Sequence, residues 1–402
     1  MTVKKSKQKK KWTLFRHKVI TCIARPFLGG YVRLKYGVKI IPFKEQKGKQ
    51  YLVLFNHQTA YDQFLVGMSF KRPIYYVASE DLFSNGFISK LLRWAVAPIP
   101  IKKQANDSLA VMNCIRVAKE GGTIAIAPEG NRTYSGTTEY IKSSIVKLVK
   151  ILKLPVAFLR IEGGYGVHPR WADKIRRGKI TTRVSKVIEK EELKNLSDDE
   201  LFDIIKTELC VDDYTFSGLY KCKKRAEYLE RAIYVCPHCG FSTFHSDKNN
   251  FKCKNCDLEV KYGEDKILTS INGELPFKTV KEWYDYQANF VRKSNLNDYL
   301  DKPIYKDKTG FYEVKLYDRK RPIDKDALIS IYGDKFIVEY KDEKIIFDFN
   351  KVSVVSVLGR NKLNVYYEDK LYQFKSDKRF NALKYVQLFY RAKGGEDEFL
   401  GL

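Results

Sequence analysis

The stretch "YLVLFNHQTAYD" (residues 51–62) joins an apolar run to a histidine and an aspartate. Residues 51–55 predict a buried strand, and His57 and Asp62 follow directly after it. Histidine is the side chain best matched to proton transfer near neutral pH, so the pair is a candidate for acid–base catalysis. The structural alternative is a hydrogen-bonded histidine at a strand end and an aspartate that begins a helix. The rest of the sequence has to decide between the two.

Around this stretch, residues 36–190 alternate short apolar runs with helical patterns. Strands are expected at 51–55, 74–78, 97–101, 123–127, 154–161 and 179–188, and helices at 60–70, 85–94, 107–119 and 140–151. Such alternation is typical of an α/β domain. From residue 311 the apolar period changes to two, which predicts a meander of strands, and the chain then ends in an amphipathic helix.

Positive charge is concentrated near the N-terminus. The 402 residues carry a formal net charge of +26, of which residues 1–50 contribute +14 through 15 lysine or arginine residues against the single acid Glu45. Such a patch needs an anionic partner, which leaves nucleic acid, an anionic membrane surface and phosphorylated substrates open. A hydrophobic content of 44% argues against long disorder, and the length predicts two or three domains.

The basic tail leads into apolar residues at helical spacing between Trp12 and Ile23. This pattern predicts an amphipathic helix that stops near Pro26. A helix that packs on the protein core is the ordinary alternative, but the flanking lysines and Trp12 favour a helix at a membrane interface. We expect neither a secretory signal peptide nor a transmembrane helix.

Four cysteines follow the pattern C-x2-C-x13-C-x2-C: Cys236, Cys239, Cys253 and Cys256. The spacing suits tetrahedral thiolate coordination of zinc, and four thiolates close the site, which predicts a structural zinc ribbon. Thiolates used in this way indicate a reducing compartment. Because zinc ribbons often bind nucleic acid, a nucleic-acid-binding protein is the alternative from a different functional class.

Three further stretches follow the histidine in a fixed order. They are "PIPIKK" (98–103), "APEGNRT" (127–133) and "KLPVAFLR" (153–160). Each has an ordinary structural explanation on its own. Together with "NHQTAYD", and in this order, they closely resemble the four sequence blocks of the glycerolipid acyltransferases, of the 1-acylglycerol-3-phosphate O-acyltransferase type. The resemblance extends over about residues 35–190 and decides in favour of a catalytic pair.

The resemblance implies transfer of a fatty acyl group from acyl-CoA or acyl-carrier protein to a lysophospholipid. The first choice of acceptor is 1-acylglycerol 3-phosphate, which would give phosphatidate. His57 would take the proton of the acceptor hydroxyl, and Asp62 would bind the other ring nitrogen. Acyl transfer to another lysolipid or to a glycolipid is the closer alternative.

The resemblance also implies a site for the acceptor. Its residues would be Lys103, Glu129, Gly130, Asn131 and Arg132. Arg132 suits phosphate, and Glu129 would orient Arg132 or contact a glycerol hydroxyl. Two positions depart from the family, since Lys103 replaces a common arginine and Phe158 replaces a proline. The segment 163–179 adds a cluster of basic residues. These residues could bind the diphosphate of coenzyme A or lipid headgroups, and a solvent-exposed face without a ligand explains them equally well.

We therefore predict an α/β acyltransferase domain with a mixed sheet flanked by helices, then a small zinc ribbon and an antiparallel β-barrel-like domain. The last resembles pleckstrin-homology or GRAM-like domains in element order. The expected bounds are a polybasic tail and amphipathic membrane-binding helix at 1–34, the acyltransferase domain at 35–215, the ribbon at 228–265, a helical linker at 266–308 and the β domain at 309–395.

The expected partners are an anionic membrane surface, a lysophospholipid and an acyl donor. Acyl-carrier protein is one candidate for the donor, and nucleic acid is not expected as a partner. The expected location is the cytoplasmic face of the cell membrane, with peripheral or monotopic attachment.

Overall fold

A computed structural model describes residues 11–83, 86–101, 108–315 and 320–395. The polybasic residues 1–10 and the candidate Lys103 lie outside these residues. Three regions follow one another along the chain, and we refer to them as the α/β region (15–209), the cysteine region (235–293) and the C-terminal region (305–392).

The α/β region contains seven strands and eight helices among its described residues. The strands are β1 (Val38–Ile40), β2 (Leu52–Phe55), β3 (Ile74–Ser79), β4 (Ile99–Ile101), β5 (Thr123–Ile126), β6 (Val156–Glu162) and β7 (Ile180–Ile188). The helices are α1 (Phe15–Tyr36), α2 (Asp62–Ser69), α3 (Phe87–Ala95), α4 (Ser108–Lys119), α5 (Ser144–Leu152), α6 (Gly164–Val167), α7 (Lys190–Asn195) and α8 (Asp198–Leu209). The strands and helices predicted between residues 51 and 188 are present, with bounds that agree to within four residues.

The seven strands form one sheet in the order β1-β7-β6-β2-β5-β3-β4. Strand β7 runs antiparallel to β6, whereas the other neighbouring pairs are parallel. The predicted mixed α/β sheet is therefore confirmed. Strands β2 and β5 lie at its centre and are buried along their whole length, as expected of parallel strands covered on both faces. Ligands bind at the carboxyl ends of such strands, where His57 and Glu129 follow β2 and β5.

Helix α1 differs from its prediction, because it continues through Pro26 to Tyr36. Proline has no backbone N–H, so the helix loses one backbone hydrogen bond at Pro26. Burial of the Val32 and Tyr36 side chains, which follow Pro26 in the helix, offsets this loss. The helix ends at Gly37, whose φ of +61° is left-handed. A Cβ at Gly37 would lie 2.1 Å from the carbonyl oxygen of Gly178, so only glycine fits there. Among the described residues, no helix is both long enough and apolar enough to cross a bilayer.

The cysteine region contains small antiparallel sheets and one helix. Its elements are β8 (Val235–Cys236), β9 (Gly240–Phe241), β10 (Phe244–Asp247), β11 (Asn250–Cys253), β12 (Glu259–Tyr262), β13 (Leu268–Asn272) and α9 (Val280–Lys293). Strand β13 pairs with β12 and lies within the segment 266–308, for which the sequence predicted a helical linker. Residues 268–272 are too short for a helix and extend the neighbouring sheet instead.

The C-terminal region is an antiparallel sheet closed by a helix, as predicted. Its elements are β14 (Tyr305–Val314), β15 (Arg321–Ile331), β16 (Lys335–Tyr340), β17 (Glu343–Asp348), β18 (Val352–Leu358), β19 (Lys362–Tyr367), β20 (Lys370–Lys375) and α10 (Leu383–Ala392). The strand order is β17-β16-β15-β14-β20-β19-β18. Helix α10 packs on β18 and β19. The sheet begins at Tyr305, a few residues before the predicted start of this domain.

One hydrophobic core joins all three regions. It includes Trp171 of the α/β region, Tyr262 and Trp283 of the cysteine region, and Phe311 of the C-terminal region. The guanidinium group of Arg176 lies 4.9 Å from the Trp171 ring and 4.8 Å from the Tyr262 ring. Packing of this kind fixes the three regions relative to one another.

Candidate active site

His57 and Asp62 meet at the carboxyl end of the central strand β2. The distance from His57 Nδ1 to Asp62 Oδ2 is 2.7 Å. The Asp62 side chain is fully buried, and it also accepts hydrogen bonds from the backbone N–H of Gln58, the backbone N–H of Thr59 and the Thr59 hydroxyl. A carboxyl group that only accepts hydrogen bonds is best described as an ionised carboxylate. The proton shared between His57 Nδ1 and Asp62 Oδ2 therefore belongs to Nδ1. The other ring nitrogen, Nε2, is then free to act as a base.

The backbone on either side of His57 is tied to neighbouring elements. The Asn56 side chain donates to the carbonyl oxygen of Ile161 at 2.8 Å and accepts from the Ile161 N–H at 2.7 Å. The backbone N–H of Thr133 donates to the His57 carbonyl oxygen at 3.2 Å. These bonds connect the end of β2 to β6 and to the loop after β5, so the backbone that carries His57 is held in one place.

Glu129 has partners that the sequence did not indicate. Its Oε1 accepts a hydrogen bond from the His57 N–H at 2.7 Å, and its Oε2 accepts one from the Glu139 N–H at 2.8 Å. Glu129 also lines the cavity, so its expected role at the acceptor site stays a prediction. Burial, together with the nearby carboxyl groups of Glu139 and Asp62, raises the pKa of Glu129 well above its usual value. Glu129 therefore joins the loop after β5 to the base.

Arg132 is 92% buried, and its Nη1 has no hydrogen-bond partner among the residues that the structure describes. Burial, followed by the charges of Arg170 and Arg360, lowers the pKa of Arg132 to about 9. These guanidinium groups create a positive potential, and Arg132 and Arg170 both line a cavity. This arrangement suits an oxyanion such as phosphate.

Gly130 and Asn131 complete the loop between the base and the guanidinium group. Gly130 has a φ of +67°, and a Cβ there would meet nothing within 4 Å, so the glycine serves the turn and leaves open space beside it. The Asn131 Oδ1 accepts a hydrogen bond from Arg170 Nη2 at 3.4 Å. The open side of this loop can therefore admit a ligand.

The cavity that contains these groups has a volume of about 1500 Å³. His57, whose side chain remains 26% exposed, and the loop residues 129–132 line it. Apolar residues of α1, α4 and α5 extend its walls, among them Leu28, Met112 and Ile151. Such a mixture of a long apolar surface and a few convergent polar groups suits a ligand with a hydrocarbon chain.

Two arginines, Arg170 of the α/β region and Arg360 of the C-terminal region, connect these two regions beside the cavity. Arg170 donates to the carbonyl oxygens of Arg132 (3.0 Å), Gly359 (3.0 Å) and Val357 (3.1 Å). Arg360 pairs with Asp173 at 3.1 Å. Arg170 and Arg176 are buried, so the basic cluster of residues 163–179 is partly structural and is not simply a solvated face. No local pattern in the sequence could have predicted contacts between residues almost 190 positions apart.

The four cysteines converge as expected. Their sulfur atoms all lie within 4.8 Å of one another, and those of Cys236 and Cys256 are 3.7 Å apart. Tetrahedral zinc with bonds of about 2.3 Å would place two sulfur atoms roughly 3.8 Å apart, so the donor set could bind zinc. His238 lies outside this set, and its Nε2 is 2.7 Å from the carbonyl oxygen of Glu274.

Comparison with known proteins finds one protein-family model and a similar solved structure. Residues 35–161 match the protein-family model described as Acyltransferase. The solved structure of the 1-acyl-sn-glycerophosphate (LPA) acyltransferase PlsC from Thermotoga maritima is similar at 20% identity, over 48% of this chain and 75% of that chain, with a TM-score of 0.39. No protein with a curated description matches the chain. The segment that matches the family model includes His57, Asp62 and residues 129–132.

Proposed function

We propose that this chain, whose residues 35–161 form an acyltransferase domain, transfers a fatty acyl group from a thioester to a hydroxyl group of a lysophospholipid. One observation carries the proposal. His57, which binds the buried Asp62, and Arg132, whose Nη1 has no partner among the described residues, line the same cavity, which also has long apolar walls. A base beside an anion site is the combination needed to acylate a phosphorylated alcohol.

The reaction requires no nucleophile from the protein. His57 Nε2 takes the proton of the acceptor hydroxyl while the hydroxyl oxygen attacks the thioester carbonyl carbon. The carbon–sulfur bond then breaks, and the departing sulfur receives the proton from His57. Asp62 stabilises the imidazolium ion that exists between these two transfers, as an aspartate does in a serine-hydrolase triad.

Arg132 would hold the phosphate of the acceptor, and 1-acylglycerol 3-phosphate is the simplest molecule that satisfies this site. The acyl donor would be acyl-CoA or acyl-carrier protein. Both present the same thioester, and the cavity walls named above favour neither. The alternative acceptor is another lysolipid that carries a larger headgroup on its phosphate, and it would react by the same chemistry.

Membrane attachment would place the cavity beside its lipid substrates. Helices α1 and α3 expose large apolar side chains: Phe15, Ile23, Phe27, Leu34, Phe87, Ile88, Leu91 and Trp94. The two helices are in contact, since Arg16 Nε donates to the Trp94 carbonyl oxygen at 3.0 Å, and both helices also line the cavity. Exposed cations such as Lys18 and Lys90 lie on the same helices. These features support peripheral binding to an anionic membrane, and the location that we propose is the cytoplasmic face.

The cysteine cluster would hold one structural zinc ion. Cys236 and Cys253 belong to the hydrophobic core that joins the three regions, so the metal would stabilise that junction. The aromatic residues Phe244 and Phe251 stack on each other and pack against Trp283 inside the protein. They are therefore poorly placed to stack on nucleic-acid bases.

Substitution of the base tests the reaction. His57→Ala should lower turnover of oleoyl-CoA with 1-oleoylglycerol 3-phosphate at least 100-fold, because general-base catalysis is typically worth about 10²–10⁴-fold. Asp62→Asn should lower turnover less, since the base itself remains. Release of free coenzyme A and formation of the diacyl product are measured together. A His57→Ala protein that keeps more than about a tenth of the wild-type rate would show that His57 is not the base.

The membrane surface is tested with the double variant Phe27→Ser/Phe87→Ser. These side chains are 76% and 78% exposed, so the fold should tolerate the changes. Loss of about 1.5 kcal/mol or more of apolar transfer per phenylalanine should weaken sedimentation with phosphatidylglycerol vesicles at least tenfold. The control is Ile346→Ser on β17, where the side chain is 49% exposed. If the double variant and the control bind vesicles equally well, the surface of α1 and α3 is not the membrane site.

Removal of one thiolate tests the metal. Elemental analysis of the wild-type protein should give about one zinc per chain. Cys253→Ser should lose the zinc and melt at a lower temperature, because metal binding contributes folding free energy in such sites. The control Cys210→Ser, at an exposed cysteine outside the cluster, should keep both the zinc and the wild-type melting temperature. A wild-type protein without zinc, or a Cys253→Ser protein that retains it, would refute the assignment.

A further inference from the structure

Hydrogen bonds hold the loop that carries Arg132 at its ends and in its middle. At its two ends, they join the loop to the backbone of His57. In the middle, Arg170 donates to the Arg132 carbonyl oxygen at 3.0 Å and to Asn131 Oδ1 at 3.4 Å. Arg170 therefore holds the part of the loop that carries the candidate anion site.

Arg170 is in turn held by the C-terminal region. Its guanidinium group donates to the carbonyl oxygens of Gly359 at 3.0 Å and Val357 at 3.1 Å. Both residues line the cavity, in a wall that strand β18 and the turn after it form. The Arg170 side chain is buried, and its Cζ lies 4.3 Å from the centre of the Tyr134 ring. Close packing leaves Arg170 little freedom to move, so the loop and the wall keep a fixed separation.

The bonds of Arg170 depend on the shape of its side chain as well as on its charge. A guanidinium group presents its N–H donors in a rigid planar fork, and here Nε, Nη1 and Nη2 donate to three different carbonyl oxygens. A lysine would carry the same charge on a flexible chain, and its compact ammonium group could not reproduce this fork. Arg170 is therefore a rigid connection between the wall and the loop.

We infer that Arg170 is a positioning residue for the acceptor site. Through it the C-terminal region, which lies outside the segment that matches the family model, sets the orientation of Arg132 and so the affinity for a phosphorylated acceptor. The inference rests on the proposed function, in which Arg132 holds the acceptor phosphate. Bidentate binding of phosphate by a guanidinium group requires a defined orientation, so a displaced loop weakens acceptor binding and leaves the thioester site unchanged.

Three substitutions in the full-length protein separate positioning from other roles. Arg170→Lys keeps the charge and removes the fork. Arg176→Lys is the matched control, because Arg176 is also buried, donates to the carbonyl oxygens of Gly166 and Arg225, and does not line the cavity. Arg132→Lys supplies the second background of a double-mutant cycle, which shows whether Arg170 acts through Arg132.

Initial rates are measured with 1-oleoylglycerol 3-phosphate and oleoyl-CoA, each varied separately. Arg170→Lys should raise the KM for the acceptor about tenfold, the change that corresponds to one lost hydrogen bond, and should change kcat and the KM for oleoyl-CoA less than about twofold. In the Arg132→Lys background the same substitution should raise the acceptor KM less than about threefold, because the fork that Arg170 orients is already absent. Arg176→Lys should change neither KM.

Three kinetic results would overturn the inference. An equal rise in both backgrounds would show that Arg170 acts independently of Arg132, for example by contacting the phosphate itself. An equal rise with Arg176→Lys would show a general loss of structure. An unchanged acceptor KM, or a change confined to oleoyl-CoA, would show that Arg170 does not serve the acceptor site.

Hydrogen exchange separates this inference from the proposed function, because it needs neither substrate nor turnover. The backbone N–H groups of residues 133 and 134 are hydrogen-bonded directly after Arg132. Arg170→Lys should speed their exchange about tenfold, while Arg176→Lys should change it less than about twofold. Faster exchange in a protein that acylates no lysolipid would support the positioning role and refute the reaction only. Unchanged exchange, or an equal effect of the two variants, overturns the inference whatever the activity.

Discussion

The carboxylate of Asp62 accepts hydrogen bonds from the His57 ring, from two backbone N–H groups and from one hydroxyl, and it is fully buried. A buried carboxylate is costly unless its acceptors are satisfied, so the turn between β2 and α2 can take only a few conformations. The same constraint fixes the tautomer of His57. Glu129 then joins the base to the loop that carries Arg132. The distance between a base and an anion site is therefore determined by buried polar groups and not by flexible side chains.

The parts of this site that could be predicted from the sequence are local. The strand before His57, the four blocks in order and the cysteine spacing each depend on residues close in the chain, and the change of apolar period identified the C-terminal sheet. Helix α1 was predicted too short, because Pro26 is a local stop signal, whereas the burial of Val32 and Tyr36 is a tertiary effect. Local patterns predict elements well and their ends less well.

The contacts that could not be predicted connect distant segments. The hydrogen bonds that Glu129 accepts from the backbone N–H groups of residues 57 and 139 could not be predicted from the sequence. Arg170 appeared in a basic cluster that solvent could have covered, yet it bridges the loop of Arg132 to the turn after β18. A charged side chain looks the same in a sequence whether it is solvated or buried, and only its partners decide. The wall that the C-terminal region adds to the cavity could not be predicted for the same reason.

The central claim is that Asp62 holds the Nδ1 proton of His57 and leaves Nε2 as the base. The chain has five histidines, so nitrogen NMR of the labelled protein at a pH where histidine is neutral should give a manageable set of ring signals. The set that disappears in His57→Gln belongs to His57. We expect this set to show a protonated Nδ1 and a bare Nε2. A His57 ring with its proton on Nε2 would contradict the account, because such a ring could not take a proton from a hydroxyl group in the cavity.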